Sequence, residues 1–202
     1  MTRHHVIISG TGRAGTTFLV QLLTELKLDT GFSDIYTGIY RKSNAGMELD
    51  LQQSAAPYII KSPWLCDNLD EILMTHDIVI DHAIIPVRDL HSAAQSRIYV
   101  SEQAKGDGLM SGSDVPGGLW HTDNPSEQES ILAKQLYKLL YAIAKHDIPV
   151  TMLLFPKLVK DPKYLYSKIH RLIENISYAD FIRAFEKVSH PELVHDFGKK
   201  DS

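Results

Sequence analysis

The residues best suited to bind a ligand lie in the glycine-rich stretch from Val6 to Leu23, VIISGTGRAGTTFLVQLL. A short apolar run at 6–8 predicts a buried strand, and a turn at 9–15 joins it to an apolar pattern typical of a helix. A strand, a glycine turn and a helix N-terminus direct several backbone N–H groups to one point, which attracts a phosphate or sulfate group. The stretch therefore predicts an anion-binding site.

The loop departs from the usual phosphate-binding pattern, G-x-x-x-x-G-K-[ST], at the lysine position. Gly10, Gly15 and Thr17 fit the pattern, but Thr16 replaces the lysine, and Arg13 is the candidate that supplies the missing cation. A loop whose basic residue precedes the second glycine and is followed by two threonines resembles the 5′-phosphosulfate-binding loop of sulfotransferases. Those enzymes use 3′-phosphoadenosine-5′-phosphosulfate (PAPS) as sulfonate donor. The resemblance implies a donor site without a metal, formed by Gly12, Arg13, Ala14, Gly15, Thr16 and Thr17.

A second pair of residues matches the other end of this donor. Arg88 ends the apolar run 78–87, and Ser96 follows eight residues later in VRDLHSAAQSR. Arginine provides a permanently charged, two-pronged donor, and a serine on the next helix adds a hydroxyl. The pair resembles the arginine and serine with which cytosolic sulfotransferases hold the 3′-phosphate of PAPS. The resemblance implies that Arg88 and Ser96 bind that phosphate, and that adenosine 3′,5′-bisphosphate is the product.

Sulfonate transfer also needs a base that takes the proton of the acceptor hydroxyl, and cations that balance charge on the sulfonate. Lys61, at the end of a predicted strand, and Arg13 are the candidate cations. Cytosolic sulfotransferases carry a histidine in a K-T-H context after this strand, whereas this chain has Lys61-Ser62-Pro63. The base must therefore come from another part of the chain.

Two carboxylates after the first helix are candidates for this base. In tyrosylprotein and several bacterial sulfotransferases a carboxylate in this region takes the role, and Asp34 lies at a similar distance beyond the loop arginine. Glu48 is its rival. His121 and His82 are weaker alternatives, because His82 lies inside an apolar strand where a core position is expected. The sequence leaves the choice between Asp34 and Glu48 open.

Two further segments bear on the resemblance. In Phe155 to Ile169, the positions of Leu158, Asp161 and Pro162 match a segment like Y-E-D-L-x-x-D-P that follows a late strand in many sulfotransferases. This match is structural and assigns no catalytic residue. The tail motif FGKK is a poor match to the R-K-G-type loop that completes the 3′-phosphate site, so no binding residue is assigned there.

The remaining pattern shows which elements must hold these residues. Apolar runs predict strands at 6–8, 57–61, 78–87 and 148–155, and helical spacing predicts helices at 16–27, 67–74, 89–105, 125–146, 161–174 and 177–188. Asp89 is the expected N-cap of the third helix, and Ser126 with Glu129 the capping box of the fourth. Strands that alternate with helices indicate a three-layer α/β/α fold with a central parallel sheet, and the resemblance implies that this fold is of the P-loop, sulfotransferase-like type. Ligands of such sheets bind beyond the carboxyl ends of the strands, where the glycine loop, Lys61 and Arg88 are expected to meet.

Length and composition set the remaining expectations. The 202 residues suffice for one α/β domain over 1–202, with mobile loops expected at 32–52 and 106–126 and a loose tail from about 190. A net charge of −4 argues against a nucleic-acid partner. Cys66 is the single cysteine, so no intramolecular disulfide can form and a reducing compartment is expected. No apolar run approaches the length that crosses a bilayer, and the N-terminus runs directly into the first strand, so we expect a cytoplasmic protein without a membrane partner or signal peptide.

The acceptor and the reaction class have several candidates. Aromatic residues in the segment 32–52 and Trp120 predict an apolar wall for a small hydroxylated molecule or a carbohydrate. A P-loop kinase or nucleotide hydrolase is the first alternative, but it needs a lysine at the position of Thr16 and an Asp-rich strand end for Mg²⁺. A non-catalytic nucleotide-binding domain is the second, and the absent histidine keeps it open.

Overall fold

The computed structural model describes residues 2–40, 43–75, 77–106 and 115–191. The strands are β1 (Arg3–Ile8), β2 (Ile39–Tyr40), β3 (Ala45–Gly46), β4 (Ile59–Lys61), β5 (Ile78–Val87) and β6 (Val150–Leu154). The α-helices are α1 (Thr16–Glu25), α2 (Leu65–Leu73), α3 (Leu90–Gly106), α4 (Gln128–Lys145), α5 (Lys157–Lys160), α6 (Pro162–Ile169) and α7 (Tyr178–Val188). Among the described residues, none of these helices combines the length and the apolarity needed to span a membrane.

The predicted mobile loops and tail lie partly outside these ranges. Arg41 and Lys42 of the loop 32–52, positions 107–114 of the loop 106–126 and residues 192–202 of the tail are outside the described residues. In the described part of the first loop, β2 and β3 form a short antiparallel hairpin, with Ile39 opposite Gly46. The sequence pattern did not indicate this hairpin, because each strand has only two residues. The mobility of both loops and of the tail stays a prediction.

A four-stranded parallel sheet forms the centre of the molecule. Its strand order is β4-β1-β5-β6, so β1 has a partner on each side. Ile7 lies opposite Ile60 of β4 and Ala83 of β5, and both Ile7 and Ile60 have no exposed surface. Parallel strands buried on both faces are expected to be continuous apolar runs, as β1 is at 6–8. The predicted α/β class with a central parallel sheet is confirmed.

Side chains that alternate along β1 supply the two core layers. Val6 and Ile8 face a cluster formed with α1, α6 and α7, in which Leu19 and Phe181 are fully buried. Ile7 faces the opposite cluster, which includes residues of α2 and α4. Successive residues of a strand point to opposite faces of its sheet, so a run of three apolar residues serves both layers. Helices therefore cover both faces, as the three-layer prediction requires.

Several helix and strand ends differ from the prediction for local reasons. Asp89 caps α3 as predicted, since its Oδ1 accepts the N–H of Ser92 at 2.8 Å. The predicted capping box of Ser126 and Glu129 is wrong. Residues 125–127 form a 3-10 turn, and α4 begins only at Gln128. The side chain that caps the turn is that of Asn124, which accepts the N–H of Ser126 at 3.2 Å. An asparagine before a proline takes the first N–H that the turn leaves without a partner.

Other predicted elements are shorter in the structure. α1 ends at Glu25 rather than at 27, and Lys27 follows with a φ of +63°. β4 begins at Ile59 rather than at 57, because proline at 57 has no N–H and the N–H of Tyr58 is used by the Asp29 side chain at 2.8 Å. α6 ends at Ile169, and a 3-10 turn at 170–172 replaces the rest of the predicted helix.

Replacement of Phe181 by alanine should lower the free energy of unfolding by about 3–5 kcal/mol, because it removes a fully buried ring from the core. The ring lies 5.1 Å from Tyr166 and 6.1 Å from Phe185, centroid to centroid. The matched control, Tyr137→Ala, removes a ring that is 71% exposed and should change stability by no more than about 0.5 kcal/mol. Urea unfolding followed by circular dichroism measures both. Equal losses in the two variants would contradict the packing of α7 against α1 and α6.

Candidate functional site

The predicted ligand residues lie where the order of the strands reverses. The chain runs from β1 to β4 on one side of the sheet, whereas β5 and β6 follow on the other side of β1. In open α/β sheets a crevice forms beyond the carboxyl ends of the strands at such a reversal. The glycine loop after β1, Lys61 at the end of β4 and Arg88 after β5 all line a cavity at this edge.

The cavity has a volume of about 550 Å³ and contains most of the predicted site residues. The predicted residues in its wall are Gly12, Arg13, Gly15, Thr16, Thr17, Glu48, Lys61, Arg88 and Ser96. The wall also contains residues that the sequence did not indicate, among them Phe18, Ser43, Trp64, Arg97, Phe155 and the segment 115–119. Trp120, predicted as part of an apolar wall, lines the cavity as well.

Two glycines determine the shape of the loop. Gly12 and Gly15 have φ values of +67° and +86°, a region in which any residue with a Cβ atom is strained. A Cβ atom at Gly12 would also lie 2.4 Å from Nη2 of Arg97. α1 begins directly after Gly15, and within the described part of the chain no side chain caps its N-terminus. The first N–H groups of a helix have no partner inside the helix, so those of α1 can bind an anion in the cavity.

Arg13 joins the loop to the second predicted donor element. Its Nε donates a hydrogen bond to Oγ of Ser96 at 3.1 Å, and its Nη1 donates to the carbonyl oxygen of Ser43. Nη1 of Arg88 donates to the carbonyl oxygen of Arg13 at 2.9 Å, while the Arg88 guanidinium lies 4.9 Å from the centre of the Phe155 ring. The structure therefore brings the glycine loop and the Arg88–Ser96 pair into direct contact.

Lys61 is a buried cation at the carboxyl end of β4. Its Nζ donates to Oγ1 of Thr17 at 2.9 Å, to the carbonyl oxygen of Gly46 at 2.5 Å and to Oε1 of Glu48 at 2.8 Å. Burial lowers the pKa of Lys61, while the Glu48 carboxylate acts in the opposite direction. The lysine thus connects the N-terminus of α1, strand β3 and the only carboxylate that lines the cavity within the described residues.

Arg97 is the cation that sequence reasoning missed. It is buried on α3, beside Ser96, and lies 4.8 Å from the centre of the Trp120 ring. Its guanidinium donates twice to the carbonyl oxygen of Thr11, at 2.8 and 3.2 Å, and once to that of Gly118, at 2.7 Å. The sequence gives only a weak indication that Arg97 lines the cavity, because a single arginine in a helix usually lies in solvent. Its position next to Ser96 is the one feature that could have indicated this role.

Four cations and one carboxylate in this wall make the cavity electropositive. The cations are Arg13, Lys61, Arg88 and Arg97, and the carboxylate is that of Glu48, counted over the described residues. Burial, reinforced by the charge of Arg88, lowers the pKa of Arg13 to about 10. Burial, with the charge of Arg13, lowers the pKa of Arg97 to about 9. Because buried charges of one sign destabilise each other, this arrangement favours a ligand with several negative charges.

The structure does not bring Asp34 to the cavity. Its Oδ1 accepts the N–H groups of Tyr36 and Thr37 at 2.8 and 3.0 Å, and its Oδ2 accepts the Thr37 hydroxyl. These hydrogen bonds, chiefly that of the Thr37 hydroxyl, lower the pKa of Asp34. The side chain closes a turn on the surface instead of facing the ligand space, so the geometry favours Glu48 over Asp34.

Three other predicted residues also lie outside the cavity wall. Ala14 is buried, so only its backbone can serve the loop. His121 pairs with Asp67 at 3.1 Å on the surface. His82 remains within β5, half-buried, with Nε2 2.8 Å from Oγ1 of Thr151. Neither histidine is placed to act on a ligand in the cavity.

Comparisons with known proteins support the fold. No protein-family model and no curated protein sequence matches the chain. Among solved structures, the "Sulfotransferase Domain from the Curacin Biosynthetic Pathway" superposes with a TM-score of 0.54 at 13% identity, over 91% of this chain and 78% of that domain. The "Sulfotransferase Domain from the Synechococcus PCC 7002 Olefin Synthase" gives 0.48 at 15% identity, over 95% and 82%. At this identity the first match shows that the chain shares the fold of a sulfotransferase domain.

Inorganic sulfate should stabilise the protein by filling the cationic cavity. At about ten times its Kd, a ligand that binds only the folded state adds about 1.4 kcal/mol, or about 3–6 °C in Tm for a chain of this size. A thermal-shift titration in millimolar sulfate, at constant ionic strength with sodium chloride, should therefore saturate. Arg13→Met should abolish the saturable part, while Arg183→Met, at an exposed position on α7, should retain it. Loss in both variants, or in neither, would contradict an anion site at the glycine loop.

Proposed function

We propose that the protein is a sulfotransferase that transfers a sulfonate group from PAPS to a hydroxyl of a small-molecule or carbohydrate acceptor. The observation that carries this proposal is the cavity at the carboxyl ends of β1, β4 and β5, in which a glycine loop and four cations surround one carboxylate. The shared fold of a sulfotransferase domain is consistent with it. The reaction and the donor are inferred from the chemistry of the cavity wall.

The residues of the cavity fit a donor with a phosphosulfate at one end and a 3′-phosphate at the other. The loop N–H groups, Arg13, Thr16 and Thr17 would hold the phosphosulfate. Arg88 and Ser96, which already contact Arg13, would hold the 3′-phosphate. When bound, PAPS supplies an activated sulfonate group. The donor carries several negative charges, and their neutralisation would relieve the repulsion between Arg13, Arg88 and Arg97.

Glu48 is the residue we assign as general base. Its carboxylate lines the cavity and lies 2.8 Å from Nζ of Lys61, which also reaches Oγ1 of Thr17 at the start of α1. The carboxylate would take the proton of the acceptor hydroxyl as the oxygen forms its bond to sulfur. Lys61 would balance negative charge on the sulfonate oxygens between the base and the helix N-terminus. The departing phosphate oxygen leaves with adenosine 3′,5′-bisphosphate.

Aromatic and polar groups in the same wall favour a hydroxylated acceptor with a flat apolar face. Trp64 follows Lys61 by three residues, lines the cavity and is 50% exposed. The backbone of Trp120 is held by Gln128, whose amide oxygen accepts the backbone N–H of Trp120 at 2.6 Å. Indole rings stack on sugars and on aromatic rings, which is the basis for proposing either a carbohydrate or a small aromatic acceptor.

The two alternatives fit the cavity less well. A P-loop kinase or nucleotide hydrolase places a lysine at the position of Thr16 and carboxylates around Mg²⁺, whereas here the described wall contains Glu48 alone, already paired with Lys61. Among the described residues no group of three or more His, Cys, Asp or Glu side chains is arranged for a metal ion. A non-catalytic nucleotide-binding domain would keep the donor site but need no base beside Lys61.

Calorimetry should show that adenosine 3′,5′-bisphosphate binds at least about tenfold more tightly than adenosine 5′-monophosphate and than Mg·ATP, because Arg88 and Ser96 add contacts to the 3′-phosphate. Ser96→Ala should reduce the preference over the monophosphate, and Ser167→Ala, an exposed serine on α6, should not. Tighter binding of Mg·ATP would contradict the sulfotransferase proposal. Tight binding of the bisphosphate without its release from PAPS in a pool of hydroxylated acceptors would favour the non-catalytic alternative.

Glu48→Gln should lower kcat by about 10²–10⁴-fold, the usual contribution of a positioned base. Asp34→Asn should leave kcat near the wild-type value, because Asp34 does not line the cavity and its carboxylate is bonded within a surface turn. Turnover is measured with PAPS and an acceptor found in the pool, and bisphosphate affinity is measured in parallel so that donor binding is separated from chemistry. Full turnover in both variants, with donor bound, would show that neither carboxylate is the base.

A further inference from the structure

The guanidinium of Arg97 is placed on the backbone of the glycine loop. It is buried, and Nε and Nη2 both donate to the carbonyl oxygen of Thr11. Within the described residues its hydrogen-bond partners are backbone carbonyls, on the loop and at Gly118. A buried arginine without a carboxylate partner is costly, so its position calls for an explanation beyond packing.

The geometry of the peptide unit supplies this explanation. The carbonyl of Thr11 and the N–H of Gly12 belong to one trans peptide plane and therefore point in opposite directions. Because Arg97 holds the carbonyl, the N–H of Gly12 is directed away from the arginine. We propose that Arg97 is a positioning residue that fixes this peptide plane, so that the Gly12 N–H faces the anion bound by the loop. The inference rests on the anion site of the proposed function.

Arg88 holds a second carbonyl of the glycine loop, that of Arg13, in a similar way. Its Nη1 donates to the carbonyl oxygen of Arg13 at 2.9 Å, which directs the N–H of Ala14 to the opposite side. Two arginines thus orient alternate peptide planes of the same loop. Each carbonyl held by an arginine leaves the N–H of the following residue on the opposite side of its peptide plane, where it can donate to an anion.

Arg97 also ties the opposite wall of the cavity to the loop. Its Nη1 donates to the carbonyl oxygen of Gly118, and its guanidinium lies over the Trp120 ring. The same wall is held independently by Oγ of Ser101, which accepts the N–H of Leu119 at 2.8 Å. Because the hydrogen bond between Ser101 and Leu119 belongs to the wall, a substitution at Ser101 weakens the wall, and its effect can be compared with that of substitutions at Arg97.

The shape of the site also selects arginine over lysine. Three N–H groups of one rigid fork reach two carbonyl oxygens on different segments, whereas a lysine ammonium is a single point of charge. The close approach requires glycine at 12, since a Cβ atom would lie 2.4 Å from Nη2. The substitution Arg97→Lys therefore keeps the positive charge but removes the planar guanidinium group that donates to both carbonyl oxygens.

The test compares Arg97→Lys, Arg97→Met and the wall-only control Ser101→Ala. Calorimetry measures the Kd of inorganic sulfate and of adenosine 3′,5′-bisphosphate for each, after circular dichroism and thermal unfolding establish that each is folded. Both Arg97 variants should bind sulfate about tenfold more weakly, and Ser101→Ala should bind it within twofold of wild type. Wild-type affinity in a folded Arg97→Lys, or an equal loss in Ser101→Ala, would overturn the assignment.

A measurement on the wild-type protein tests the same point without substitution. In ¹⁵N-labelled protein, sulfate should shift the amide proton of Gly12 downfield together with those at the start of α1. A Gly12 amide that does not respond while the α1 amides do would overturn the inference. If the wild-type protein binds sulfate but not adenosine 3′,5′-bisphosphate, the proposed function fails and the positioning role of Arg97 is unaffected. If Arg97→Lys binds both ligands with wild-type affinity, the positioning role fails and the proposed function is unaffected.

Discussion

The burial of several cations at one edge of the sheet is the electrostatic constraint on which the rest of the site depends. Each cation would be costly alone, and the chain offers a single carboxylate in the described wall. Backbone carbonyls solvate the charges instead, and all but one of these carbonyls come from loops, the exception being Gly46 in the two-residue strand β3. The hydrogen bonds between cations and carbonyls therefore determine the conformation of the loops as well as the positions of the cations. The carbonyls belong to Thr11, Arg13, Ser43, Gly46 and Gly118.

The glycine loop has a threonine where the usual phosphate-binding pattern has a lysine, and the neighbouring strand supplies a lysine close to that position. Lys61 extends from β4 and reaches Oγ1 of Thr17 at 2.9 Å, so an amine lies beside the start of α1 although none is present in the loop. Arg13 is the second cation near the loop, and its side chain reaches Oγ of Ser96 on α3. Two cations therefore line this part of the cavity, one from β4 and one from the glycine loop.

The sequence predicted those parts of the fold and site that depend on local pattern. The parallel sheet, the glycine loop and the placement of Lys61 and Arg88 at strand ends follow from apolar runs and their breaks. Arg97 and the choice of Glu48 over Asp34 could not be predicted, because they depend on how residues far apart in the chain meet. Glu48 reaches Lys61 through a hairpin of two-residue strands, and no periodicity marks so short an element.

Phe18 belongs to both the hydrophobic core and the wall of the cavity. Its ring meets that of Phe185 on α7 at 5.5 Å, edge to face, and its other side lines the ligand space. Any ligand that packs on this ring also constrains the contact between α1 and α7. Substitutions at Phe185, which does not itself line the cavity, would then alter affinity through this shared aromatic ring, and screens for stability and for binding would select overlapping sets of positions.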